Sequence, residues 1–154
     1  MMVYSLALPA WAAAPNGIPG PLGIGYWGNE HLSLRYWVSP TMALDAGIGF
    51  QFVSNATRFD LQLGLPILMK QYPALFIELR PGFELSSQQN VTTDITLSLS
   101  ALAEWFLPGT ENRLSVSGGP RFGITMSTPA IGLGTTTMGT SATGIFAGAL
   151  HFYF

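Results

Sequence analysis

"DITLSLSALAEWF", Asp94 to Phe106, repeats with a period of two. Ile95, Leu97, Leu99, Ala101, Ala103 and Trp105 share one side, and Thr96, Ser98, Ser100, Leu102, Glu104 and Phe106 the other. Successive side chains of an extended chain point to opposite faces, so the stretch predicts a β-strand with one apolar and one largely polar face. The alternation continues in both directions. In "LFIELRPGFEL", Leu75, Ile77, Leu79, Phe83 and Leu85 oppose Glu78, Arg80 and Glu84. In "RFDLQLGL", Phe59, Leu61, Leu63 and Leu65 oppose Arg58, Asp60, Gln62 and Gly64. "MALDAGIGFQF" and "RLSVSGGPRFGIT" follow the same rule.

Turn signals divide the chain into eight such strands, at roughly 22–28, 31–39, 42–53, 57–70, 73–87, 91–107, 112–126 and 142–154. The connections are short except "STPAIGLGTTTMGTS", Ser127 to Ser141, which is rich in Gly and Thr and reads as a flexible return. Short hairpins throughout predict an antiparallel up-and-down meander.

Charged residues are 9% of the 154, against about 25% in an ordinary soluble domain. Net charge is −2, so no basic footprint marks a nucleic-acid partner. Cysteine is absent, which excludes disulfides and thiolate metal sites. Low charge with high apolar content points toward lipid, yet no body segment has the run of about 20 apolar residues that a spanning helix needs. Backbone groups in hydrocarbon must be paired internally, and strands achieve that only in a closed barrel. The fold expected is all-β, an eight-stranded antiparallel up-and-down transmembrane β-barrel. Most strands exceed the about 9–11 residues that cross a bilayer at a tilt.

The charges decide which face meets lipid. Arg35, Arg58, Arg80, Arg113 and Arg121 share the polar faces with Asp45, Asp60, Glu78, Glu84 and Glu104, five of each sign. Cations that are all arginine, matched by carboxylates among Gly, Ser and Thr, suit a paired interior better than a solvated surface. These ten are expected to form a structural charge network plugging a lumen that, with eight strands, is just wide enough for side chains. Tyr36, Trp37, Tyr72, Trp105, Phe106, Phe152 and Phe154 fall near one rim and Tyr26, Trp27, Phe50 and Phe52 near the other, an arrangement that reads as two interfacial girdles. With both termini on the periplasmic side, the connections near 40, 71 and 109 are expected there, and those near 29, 55, 89 and 134 outside.

Residues 1–14, "MMVYSLALPAWAAA", hold a short apolar core and two A-x-A patterns, and read as the remnant of a signal peptide or as an ordinary N-terminal segment. Residues 15–21 form a turn-rich lead-in, and 22–154 the barrel domain. The final stretch "GIFAGALHFYF" places Phe146, Leu150, Phe152 and Phe154 on one face. This resembles the terminal signature of bacterial outer-membrane β-barrels, most like the small OmpA/OmpX-type barrels. The resemblance implies a Gram-negative cell envelope, integral residence in the outer membrane, contact with its lipid, and recognition of Phe152 and Phe154 by the barrel-assembly machinery.

Chemistry is sparse. A Ser-His-acid site needs a histidine beside a nucleophile and an orienting carboxylate. Only His31 and His151 are present, with His151 expected inside near Glu104 or Arg35. No catalytic residue, metal ligand or cofactor site is assigned, and "NAT" and "NVT" read as chance triplets. The function expected is that of a non-enzymatic envelope scaffold, structural or adhesive. One alternative is a subunit of a larger envelope complex, held through its wall at small residues such as Ala46, Ala101, Ala103 and Gly118 or through 127–141. Another is a lipid-modifying enzyme or narrow pore.

Overall fold

The computed structural model describes residues 14–28, 30–53, 56–139 and 146–154. Residues 1–13, most of the signal-like segment, lie outside the described residues. Among the described residues ten strands run in chain order: β1 Leu22–Trp27, β2 Glu30–Ser39, β3 Met42–Val53, β4 Ala56–Gly64, β5 Ile67–Tyr72, β6 Leu75–Gln88, β7 Thr92–Phe106, β8 Leu114–Pro129, β9 Thr135–Gly139 and β10 Phe146–Tyr153. They make eight walls. β4 and β5 are two pieces of one wall, and β9 and β10 both pair with β8. β10 then pairs with β1 and closes an antiparallel barrel.

The break within the fourth wall falls at Leu65 and Pro66. Proline has no N–H for a ladder, so strands tolerate it only at irregularities. Here the Leu65 N–H donates across to the Pro81 carbonyl at 2.9 Å, and the Pro66 carbonyl accepts from Ala43 N–H at 2.9 Å, so pairing resumes on both sides. Of the stretch 127–141, expected as a loose return, the described part to Gly139 is instead largely a hairpin. β8 runs to Pro129 and β9 pairs back onto it from Ser127↔Thr135 to Gly123↔Gly139, leaving Ala130–Gly134 as the tip. Threonine favours extended backbone, and that preference outweighs the loop-like glycines.

Closure has a defined stagger. Hydrogen-bonded partners lead from Ile24 through Leu34, Ala46, Leu63, Phe83 and Leu97 to Ile124 on β8. The other way round, Ile24 leads through Phe152 to Leu114, also on β8 and ten residues from Ile124. A stagger of that size tilts eight strands by roughly 40°.

Inside and outside follow the alternation. Leu34, Leu44, Ile48, Phe50, Leu63, Leu97, Leu99, Phe122 and Leu150 are exposed on the outer wall. Arg35, Asp45, Asp60, Gln62, Glu78, Arg80, Ser100, Glu104, Ser115 and His151 are buried in the lumen. The lumen holds the buried ions and the outer surface of the barrel is apolar.

Candidate functional site

The lumen is stacked in layers. At the end where β1 begins and β10 finishes, Trp37, Phe76, Phe106 and Tyr153 turn inward and pack in T-shaped and tilted pairs, with ring centroids 6.3, 4.7 and 5.9 Å apart in that order. Ile18, from the segment before β1, seats against them with Ala43. That segment is tied down by Asn112 Nδ2 donating to the Gly17 carbonyl at 2.7 Å, by Gln71 Nε2 donating to the Asn16 carbonyl, and by Trp37 N–H donating to the Pro21 carbonyl at 2.8 Å. Residues 15–21 are thus a lid over the terminal mouth.

These rings correct the girdle expectation. Trp37, Phe106 and Trp27 are buried in the lumen, whereas Tyr26, Tyr72, Trp105, Phe152 and Phe154 are exposed on the outer face. For Trp37 and Phe106, as for Tyr153 and Phe76, the signal was present in the parity. Trp37 follows Arg35 by two, Phe106 follows Glu104, Tyr153 follows His151 and Phe76 precedes Glu78, so each must share its ion's face.

Above the aromatic layer lies the main ion network. Arg35 and Asp45 are direct cross-strand neighbours on β2 and β3, and the guanidinium grips the carboxylate with two bonds of 2.8 and 3.1 Å. Its third nitrogen, Nη1, donates to Glu104 at 2.8 Å and to Glu78 at 3.1 Å. Arg80 Nε donates to the second oxygen of Asp45 at 2.8 Å. Its planar head lies 3.9 Å over the ring of Trp27, where cation and π-face attract. Gly64 makes room for that head, since a Cβ there would stand 2.3 Å from Arg80 Cζ. Glu104 accepts two further bonds, from Ser115 Oγ at 2.5 Å and Tyr153 OH at 2.8 Å. Sequence parity suggests pairing of Arg80 with Glu78, two residues away on the same face, or a link through Arg58 and Asp60. The geometry differs, because the barrel's curvature brings Asp45 to Arg80 and Arg35 to Glu78.

Nearer the opposite end, Arg58 pairs with Asp60 at 3.0 Å, Gln62 Nε2 donates to Glu84 at 2.6 Å, and Arg121 contacts the same Glu84 carboxylate. Nine of the ten expected ions therefore occupy the inner face. Arg113 does not. It lies at the turn between β7 and β8, partly exposed and 3.8 Å from Glu111, because the turn ends the alternation before the strand begins at Leu114.

The nearest approach to catalytic geometry is Ser33 Oγ, 3.2 Å from His151 Nε2. Among the described residues His151 Nδ1 has no hydrogen-bond partner, so the orienting carboxylate of a triad is missing, and both side chains are buried. On the outer wall, Leu75, Ala103, Trp105, Val116 and Gly118 border an apolar groove of about 460 Å³. Comparison with protein-family models, with curated proteins and with solved structures finds no match for this chain.

Proposed function

We propose that this chain is an integral outer-membrane β-barrel that serves the envelope as a non-enzymatic scaffold, with its lumen closed by its own side chains. The observation that carries the reading is the inverted distribution, a closed barrel with apolar side chains outside and a hydrogen-bonded ion network inside. Water would not favour so much exposed leucine and phenylalanine in one continuous belt, and hydrocarbon would. Phe152 and Phe154, paired on the outer face with centroids 5.2 Å apart, are the exposed aromatics that the outer-membrane resemblance assigns to assembly machinery.

The test is fractionation of the expressed protein with a heat-modifiability gel. Recovery in outer membranes, with faster migration before boiling than after, is expected. A protein found in the soluble fraction at one mobility overturns the reading. A second reading, a subunit of an envelope complex, is favoured by the groove beside Ala103 and Gly118, where small residues let a neighbouring backbone approach. Affinity isolation from native membranes separates the two, since a lone scaffold brings down no stoichiometric partner.

A further inference from the structure

Lysine occurs once in the chain, at position 70. β5 opens with Ile67 facing out, opposite Leu79, and Leu68 facing in, opposite Glu78. Strict alternation would then turn Lys70 inward with Leu68. A bulge at Met69 shifts the register by one residue, so Lys70 pairs with Ile77 and faces out, as does Tyr72 opposite Leu75. A bulge of this kind re-aims the side chains beyond it. Among the described residues Lys70 is the one charged side chain at an outward strand position, and it joins no ion pair. Residues 1–13 contain no Asp or Glu, so they hold no carboxylate for it. Its Nζ lies 5.1 Å from the centre of the Tyr72 ring. A cation on a face otherwise given to hydrocarbon needs a counter-charge.

Two outward register lines cross the wall here. One joins Tyr72, Leu75, Trp105 and Val116, and the other joins Lys70, Ile77, Ala103 and Gly118. Along the second line the side chains shrink to a methyl group and then to hydrogen, and the apolar groove of about 460 Å³ lies there. The stagger gives these lines a slope. Traced forward from Ile24, a line reaches β8 at Ile124, ten residues farther from the terminal mouth than Leu114, which the backward trace reaches. Lys70 stands at that mouth, since Gln71 beside it donates to the Asn16 carbonyl of the lid. From Lys70 to Gly118 the line therefore runs about 14 Å and sinks roughly 9 Å away from the mouth into the apolar belt.

We propose that this sloping line seats one anionic glycerophospholipid, its phosphate on the Lys70 ammonium beside Tyr72 and one acyl chain laid into the groove over Ala103 and Gly118. The inference rests on the outer-membrane reading above. Charge complementarity selects the head. Lys70 offers a compact point charge to a phosphodiester, and among the described residues no outward strand position offers a carboxylate to the amine of a zwitterionic head. The groove, bordered by Leu75, Trp105 and Val116, holds no ion and suits a hydrocarbon chain.

The test uses the full chain in phosphatidylcholine vesicles containing a phosphatidylglycerol with a photoreactive acyl chain, and crosslinks are mapped by mass spectrometry. Expected is at least about tenfold enrichment at Ala103, Trp105 and Val116 over Leu34 on the opposite wall, a preference equivalent to about 1.4 kcal/mol. Lys70→Gln is expected to abolish that enrichment and Lys70→Arg to keep it. Ala103→Leu, which fills the groove, is expected to abolish it too. Ala101→Leu, on the next outward line, is expected to leave it intact. Uniform crosslinking around the wall overturns the seat, as does enrichment that survives Lys70→Gln or Ala103→Leu. So does equal enrichment of a phosphatidylcholine carrying the same chain, which would leave the charge no part in binding. Protein crosslinked at Trp105, whether a second copy or residues 1–13, would put a different occupant in the groove and overturn it as well. A chain that never enters vesicles fails the outer-membrane reading instead, so the two failures are distinct.

Discussion

With Arg35 replaced by alanine, Asp45, Glu78 and Glu104 lose the cation they share, and three buried carboxylates face one another across a narrow lumen. Breaking a buried pair by removing one partner is far more damaging than the pair's net worth, because the stranded charge has no water to return to. Arg35→Ala is therefore expected to cost about 3–5 kcal/mol or to block folding, read from urea unfolding in lipid vesicles. Arg113→Ala, which removes only a partly exposed contact to Glu111, is expected to stay within about 0.5 kcal/mol in the same assay. Equal effects of the two would reject the assignment of Arg35 to a closed network. Which residues point inward was legible in the sequence, since parity alone places Arg35 and Glu104 on inner faces. Which ion meets which was not, because partners such as Arg35 and Glu104 lie on strands separated by the full width of the lumen. Trp37 and Phe106 were misjudged where a compositional habit, aromatics at membrane rims, overrode their own parity.

Between β1 and β10 the seam is narrowed by glycine. A Cβ on Gly25 would stand 1.7 Å from the Leu150 carbonyl oxygen, a backbone atom that cannot rotate away. Gly25→Ala must therefore shift the first strand off the last and is expected to cost about 1–3 kcal/mol, with a larger share of the protein running at the unfolded mobility on an unboiled gel. Unchanged mobility and unfolding midpoint would show that the seam is looser than its register implies. The strands themselves were readable from period and turns, including 42–53 to the residue. The split at Pro66 and the β8–β9 hairpin were not. The first depends on a proline whose neighbours find other carbonyls, and the second on threonines that carry no alternation of polarity to mark a buried face.

Taken whole, the barrel is sealed at one end by its own aromatic side chains. Ile18, Trp37, Phe76, Phe106 and Tyr153 close the terminal mouth, and the Arg35 network stands directly behind them. No steady conductance is expected when the protein is reconstituted into planar bilayers, and sustained single-channel steps would overturn the sealed lumen. The pairing of β1 with β10 also carries a consequence in time. Among the described residues every other wall contact joins walls that are neighbours in chain order, whereas Ile24↔Phe152 joins the first described strand to the last. Loops of that length close late, after local hairpins have zipped. Trp27 sits in the lumen beside this seam, while Trp105 lies on the outer face of β7, far from it. In refolding into lipid, a variant whose sole tryptophan is Trp105 is expected to reach its final fluorescence before one retaining only Trp27. Simultaneous changes would mean that the ring closes in a single step. The lid at Ile18 can seat only on a finished ring, so the first residues of the described chain are expected to be the last to find their place.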